Sequence, residues 1–195
     1  MPPDPLNVLA PHGPKRRAPT TAQNERYTTT KTLELVKKLA GVNTFTLDVA
    51  GCVESHKAPK WYGWQDKART PSLFLDGLKL PWGSTKSGMA ALATVFCNPP
   101  FTEMEAWAAK AWEEIAKTNG PALIAMLSPA NRTEQPWWHQ LIEAKRDKRM
   151  RGSPLGETLT TRFLPGRTRY GCMADPEGLE AGSPPFGSVL LLWRR

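Results

Sequence analysis

Residues 93–127 read ATVFCNPPFTEMEAWAAKAWEEIAKTNGPALIAML, and they decide the fold. Ala93 to Phe96 is apolar and partly β-branched, which predicts a strand ending at Cys97-Asn98-Pro99-Pro100-Phe101. Thr102-Glu103-Met104-Glu105 has the pattern of a capping box and predicts a helix start. Met104, Trp107, Ala108, Ala111 and Ile115 then fall on one stripe, and Asn119-Gly120-Pro121 ends it. Ala122 to Leu127 is apolar throughout, as a strand buried on both faces is. Strand, Pro-Pro turn, helix and strand make a βαβ unit, so the expected architecture is α/β with a mainly parallel sheet.

Upstream, Leu33, Leu35, Val36 and Leu39 recur near helical spacing before Gly41, predicting a short helix from Lys31. Thr44 to Gly51 reads as a buried strand ending in a loop, its β-branched and apolar residues leading into Asp48 and the small residues after it. A further strand is expected at Ser72 to Leu75, ending at Asp76-Gly77. Downstream, Pro136 to Ala144 reads as a helix, with last strands at Arg162-Phe163-Leu164 and Ser188 to Trp193. Ligands in such sheets sit outside the carboxyl ends of the strands. This reading gathers Asp48, Asp76, Asn98 and Ser128 on one rim.

The 195 residues suffice for one domain with a sizeable core. Residues 1–25 carry six prolines and the basic run Lys15-Arg16-Arg17, a composition that predicts a flexible arm before a folded domain over 26–195. No apolar stretch reaches the roughly 20 residues that a bilayer span needs, and the Pro-rich first residues do not read as a secretory signal, so neither is expected. Twenty-six Lys and Arg against eighteen Asp and Glu leave a net charge of +8, which puts polyanions first among partners. Cys52, Cys97 and Cys172 are too scattered for a disulfide framework or a zinc site, so a reducing cytoplasm and no structural metal are expected. The run of Lys145, Arg146, Lys148, Arg149 and Arg151 is either a solvated helix end or a phosphate contact.

Two consecutive prolines fix φ and remove N–H groups, so the turn after Asn98 is stiff. Stiffness suits placement of a planar exocyclic amine, whose delocalised lone pair makes it a poor nucleophile. The side-chain oxygen of Asn98 and the carbonyl of Pro99 can each accept one of its N–H groups. Phe101 can stack on the ring, an interaction worth about 1–3 kcal/mol per base. Catalysis by such a turn is placement and electrostatics.

The ordered set of motifs resembles the phage-type DNA N-6-adenine methyltransferases, the Dam-like family, from about Tyr27 to Trp193. Phe45-Thr46-Leu47-Asp48-Val49-Ala50 is similar to the family's first strand, and Lys57-Ala58-Pro59-Lys60-Trp61-Tyr62 to the segment after it. Asp76-Gly77-Leu78 with Trp82 follows in family order. Val95 to Phe101 resembles the catalytic turn, and Trp107, Lys110 and Ala111 the helix behind it. Leu127 to Thr133 with Trp138-His139, Arg162 to Arg167, and Pro185-Phe186-Gly187-Ser188 complete the set.

The resemblance implies a Rossmann-like S-adenosylmethionine-dependent methyltransferase fold, mainly parallel with an antiparallel C-terminal strand, acting on DNA in the cytoplasm of a bacterial host. It implies that Asn98, Pro99, Pro100 and Phe101 hold the flipped adenine and that Asp48, with Asp76, Tyr27 and Thr29, binds S-adenosylmethionine. Arg132 and Arg167 lie in family-like motifs and are candidate DNA contacts, together with Lys145, Arg146, Lys148 and Arg149. The sequence departs from the family at Thr30, which replaces a proline, and at residues 83–91 and 145–161, which read as insertions. Gly51 alone stands where methyltransferases commonly carry a glycine-rich Gly-x-Gly. His139 reads as structural, and Trp61, Trp64 and Trp82 as packing or pocket-wall residues. Competing readings keep the chemistry on RNA bases or protein glutamine, or keep the fold as a non-catalytic DNA-binding protein.

Overall fold

Strand β6, Leu123–Pro129, is buried along its whole length. Ile124 and Met126 point into one apolar cluster, and Leu123, Ala125 and Leu127 into another on the opposite face. The uniformly apolar sequence is explained by that two-sided burial, since a strand covered by helices on both faces has no solvent side to keep polar. The computed structural model describes residues 26–83, 93–146, 158–172, 174–175, 177–179 and 184–195.

In chain order the elements are β1 (Tyr27–Thr28), α1 (Thr30–Ala40), β2 (Leu47–Cys52), β3 (Lys60–Trp64), β4 (Phe74–Leu75), β5 (Thr94–Cys97), α2 (Met104–Ile115) and β6. They continue with α3 (Pro136–Trp138), β7 (Thr158–Phe163), β8 (Tyr170–Gly171) and β9 (Ser188–Arg194). Seven strands form one sheet in the order β4-β3-β2-β5-β6-β9-β7, and β1 and β8 form a separate antiparallel ribbon. Strands β3, β2, β5 and β6 are mutually parallel. β9 runs antiparallel to both β6 and β7. This is a Rossmann-like α/β arrangement, a mainly parallel sheet whose C-terminal strand runs antiparallel.

Helix α2 covers one face: Trp107, Ala111 and Ile115 pack with Met126, Leu191 and Trp193. Helix α1 covers the other, setting Val36 and Ala40 with Phe45, Phe96, Leu190 and Leu192. Gly41 ends α1 in the left-handed region at φ 70°, and its N–H bonds back to the Lys37 and Lys38 carbonyls. Inside the α2 face, Glu114 is fully buried and accepts the backbone N–H of Trp82 at 2.9 Å. Lys110 and Lys117 approach the same carboxylate at 2.6 and 2.7 Å.

The structure corrects several expectations. The capping box does not form, because Phe101–Glu103 coil into a 3-10 turn closed by Glu103 N–H on the Pro100 carbonyl at 3.0 Å. Helix α2 therefore begins at Met104, with no side-chain cap. The strand expected over Ser72–Leu75 shrinks to Phe74–Leu75 and pairs antiparallel with β3, since Pro71–Leu73 form a 3-10 turn. Strand β3 was not expected. The helix expected over Pro136–Ala144 is one α turn followed by a π turn at His139–Glu143. The arm at 1–25, most of the 83–91 segment, and residues 147–157 of the second insertion lie outside the described residues.

Candidate active site

Strand β5 delivers the Asn-Pro-Pro-Phe turn to the carboxyl edge of the sheet. Asn98 Nδ2 donates to the Arg26 carbonyl at 2.6 Å and to Thr28 Oγ1 at 3.0 Å. A carbonyl only accepts, so this contact fixes which end of the amide is nitrogen. The opposite end, Oδ1, is buried and has no hydrogen-bond partner among the described residues. Pro100 sits at φ −55°, ψ 125°, the extended geometry its ring favours.

The ring of Phe101 meets Tyr170 edge-on at 5.6 Å and Phe186 at 6.0 Å. The Arg26 guanidinium lies 5.7 Å from the centroids of both Phe101 and Phe186. Tyr170 is itself anchored by a 2.8 Å hydrogen bond to Ser188 Oγ, and burial pushes its phenol up to about 12. Because Thr28 pairs with Tyr170 across the β1–β8 ribbon, one ribbon touches both Asn98 and Phe101.

Asp48 stands opposite Phe96 in the β2–β5 pairing and is only 2% exposed. The strand was expected to end near this residue; instead β2 continues to Cys52. The small residues Ala50 and Gly51 allow a register shift after Asp48, and pairing resumes at Gly51–Gly63. Gly63 has φ 123°, and a Cβ there would collide with the Gly51 carbonyl oxygen, so the crossing demands glycine. Asp48 Oδ1 accepts the Ala50 N–H at 3.1 Å and Oδ2 the Lys57 N–H at 2.9 Å. Burial outweighs those two bonds and the Lys57 charge, raising the carboxyl to about 7. Burial also lowers the Lys57 ammonium, against the opposing pull of Asp48.

These groups line one open cleft, about 770 Å³ when the space open to solvent is counted. Its lining includes Asn98, Pro99 and Phe101 after β5, Asp48 and Gly51 on β2, Trp64 on β3 and Phe74 on β4, together with Arg69. The Arg69 guanidinium sits 5.7 Å from the Trp64 ring centroid and 3.7 Å from Glu54 Oε2. Arg69 is the one non-glycine residue at positive φ among the described residues, at 59°.

Of the residues expected to bind the cofactor, Asp48 and Tyr27 line the cleft, whereas Thr29 and Asp76 do not. Thr29 is the N-cap of α1, accepting from Thr32 N–H. Asp76 Oδ1 accepts the Leu78 N–H at 3.0 Å, so it caps its own turn, and its neighbours Leu75 and Gly77 reach the cleft instead. Ser128 is fully buried and its hydroxyl bonds the Pro129 carbonyl. Arg132 follows β6 and Arg167 follows β7, both at the same sheet edge as the turn.

Lys145 and Arg146 are placed elsewhere. Arg146 bridges Leu159 at the start of β7, on the opposite edge of the sheet. Lys145 lies 4.9 Å from the Trp112 ring centroid, and Arg146 pairs with Glu143 at 3.0 Å. Lys148 and Arg149 lie outside the described residues. Among the described residues no three His, Cys, Asp or Glu side chains are grouped as metal ligands. His56 Nδ1 lies 3.3 Å from the Cys52 carbonyl, and its ring stacks on Trp61 at 3.9 Å. Arg26, Thr28, Arg69 and Phe186 received no site role from the sequence; the one signal was the position of Phe186 inside a family-like motif.

No protein-family model and no curated protein matches the chain. Among solved structures, it is similar to the crystal structure of the 23S rRNA methyltransferase ErmE, at 12% identity and a TM-score of 0.47, covering 88% of this chain and 70% of that one.

Proposed function

We propose that this chain transfers a methyl group from S-adenosylmethionine to the N6 amine of adenine in DNA. The observation that carries the reading is Asn98 Oδ1, which has no hydrogen-bond partner among the described residues, beside Pro99 and Phe101 in a cleft that Asp48 also lines. An acceptor-only oxygen on a stiff turn, next to an aromatic ring, suits a planar ring bearing an N–H2 group. The order of motifs resembling the phage-type adenine methyltransferases favours adenine and DNA within that class.

The cleft fits the cofactor at two points. A Cβ at Gly51 would stand 3.1 Å from Asp48 Oδ2, so glycine leaves room beside this cleft-lining carboxylate for a cationic or hydroxylated ligand. Trp64, tilted against Phe74 at 4.7 Å, offers a flat apolar wall for a purine. When bound, S-adenosylmethionine supplies an electrophilic methyl on a sulfonium centre. Asn98 Oδ1 and the Pro99 carbonyl accept the two amine hydrogens and draw the nitrogen toward tetrahedral geometry. Phe101 holds the ring plane, and the displaced amine proton leaves to water. Extruding the base costs a few kcal/mol of stacking, which Phe101 partly returns. Arg132 and Arg167 contribute cations at the same edge for phosphates.

The test is transfer of labelled methyl to unmethylated duplex DNA and, in parallel, to RNA, followed by nucleoside analysis. N6-methyladenine in DNA from wild type and none from Asn98→Ala is expected. Label in RNA alone moves the acceptor to RNA; no transfer to either, despite cofactor binding, overturns the reading.

A further inference from the structure

We propose that Thr28 is a positioning residue that sets the plane of the Asn98 amide, so that the site selects rings bearing an amine over rings bearing a carbonyl at the same position. The inference rests on the methyl-transfer reading for its kinetic consequence, but its geometric content is independent of it. Thr28 is 2% exposed, and its hydroxyl takes one hydrogen of Asn98 Nδ2 at 3.0 Å while the Arg26 carbonyl takes the other at 2.6 Å. One acceptor alone leaves the amide free to swing about that contact. Two acceptors on different residues fix its plane, and the carbonyl forbids the flipped orientation because two acceptors would then face each other. Oδ1 is left as a buried acceptor without a partner among the described residues, and such a group costs free energy until a donor reaches it.

An exocyclic amine satisfies Oδ1. A ring carbonyl in its place sets oxygen against oxygen. Thr28 is well suited to this duty because its backbone is pinned by pairing with Tyr170, whose ring abuts Phe101. The hydroxyl that orients Asn98 and the aromatic ring that backs Phe101 thus share one two-stranded ribbon.

The experiment compares wild type, Thr28→Val and Thr28→Ser in two measurements. Valine keeps the β-branched shape and removes only the hydrogen-bonding oxygen; serine keeps the oxygen. The first measurement is binding of mixed-sequence oligonucleotides containing adenine, against the same mixture with hypoxanthine in its place, which needs no turnover. Wild type is expected to prefer adenine by about tenfold, the ratio one good hydrogen bond supports. Thr28→Val loses most of that preference and Thr28→Ser keeps it. The second is steady-state methyl transfer, where Thr28→Val lowers kcat about tenfold with KM for S-adenosylmethionine unchanged, and Thr28→Ser recovers it.

Equal adenine and hypoxanthine binding by wild type, or full preference retained in Thr28→Val, overturns the inference. Equal damage in the valine and serine variants also overturns it, because that pattern reports packing rather than the hydroxyl. If wild type shows the preference and Thr28→Val loses it while no protein transfers methyl, the amide assignment stands and the methyl-transfer reading falls.

Discussion

The Asp48 carboxylate accepts the backbone N–H of Lys57 at 2.9 Å, closing a nine-residue loop whose two ends both line the cleft. The loop is held by a group the fold prefers to keep neutral, since burial raises Asp48 from 3.8 to about 7. The folded value lies above the unfolded one, so this group's contribution to stability is complete below about pH 4 and is lost as pH rises through about 7. Wild type is expected to lose roughly 2–4 kcal/mol between pH 4 and 8 relative to Asp48→Asn. Urea denaturation of both proteins across that range measures the difference, and parallel curves would refute it.

The same ionisation bears on the ligand. On the proposed reading, a cationic cofactor amine favours the carboxylate, so affinity for S-adenosylmethionine rises with pH through about 7, and binding near pH 6 releases a proton. Calorimetry in buffers of different ionisation enthalpy reads that proton. Asp48→Asn is expected to bind weakly at every pH, with no proton release.

Glu114 sits at the opposite extreme of burial chemistry. Burial alone would raise its carboxyl, but hydrogen bonds from Lys110, Lys117 and the Trp82 N–H outweigh it and hold the group below its ordinary value. Its stabilisation is therefore present above about pH 4.5 and disappears as pH falls through the lowered folded value. Glu114→Ala leaves the buried Lys110 without its nearest carboxylate and is expected to cost about 3–5 kcal/mol in chemical denaturation.

Gly63→Ala tests the crossing of β2 and β3. A methyl group there meets the Gly51 carbonyl at a backbone φ that disfavours any side chain. A loss of about 2–4 kcal/mol is expected. Because the same crossing places Asp48 and Trp64 in the cleft, cofactor affinity falls with it. A variant of wild-type stability would show that the close approach is not needed.

Phe101→Ala is expected to weaken binding of adenine-containing oligonucleotides by about 1–3 kcal/mol, the range for a base stacked on an aromatic ring. Phe101→Tyr retains the ring and should retain binding. Fluorescence of 2-aminopurine placed in the oligonucleotides reports the stacking directly.

The centre of the fold was legible in the sequence because its signals are local and strong. The apolar runs at 93–96 and 122–127, the stripe from Met104 to Ile115, and the Pro-Pro turn between them each have a period or a stereochemical constraint that one short window reveals. Strand β3 escaped because Lys60-Trp61-Tyr62-Gly63-Trp64 has neither alternation nor an apolar run; it is a strand only because β2 lies beside it. The capping box failed for a related reason. Thr102 and Glu103 were drawn into a 3-10 turn by the rigid prolines before them, a contest that the four-residue pattern does not record.

For the site, the sequence by itself determined the chemical kit: an amide on a stiff turn, an aromatic ring after it, and an acidic residue in the first large strand. Only the tertiary structure decided how the kit is used. It spent Thr29 and Asp76 on caps, carried Lys145 and Arg146 to the far edge, and brought Arg26 and Thr28 across about seventy residues to Asn98. The physical reason is that side-chain identity fixes what a group can donate or accept. Which partner it meets depends on strand order and register, which arise from burying two faces of one sheet at once.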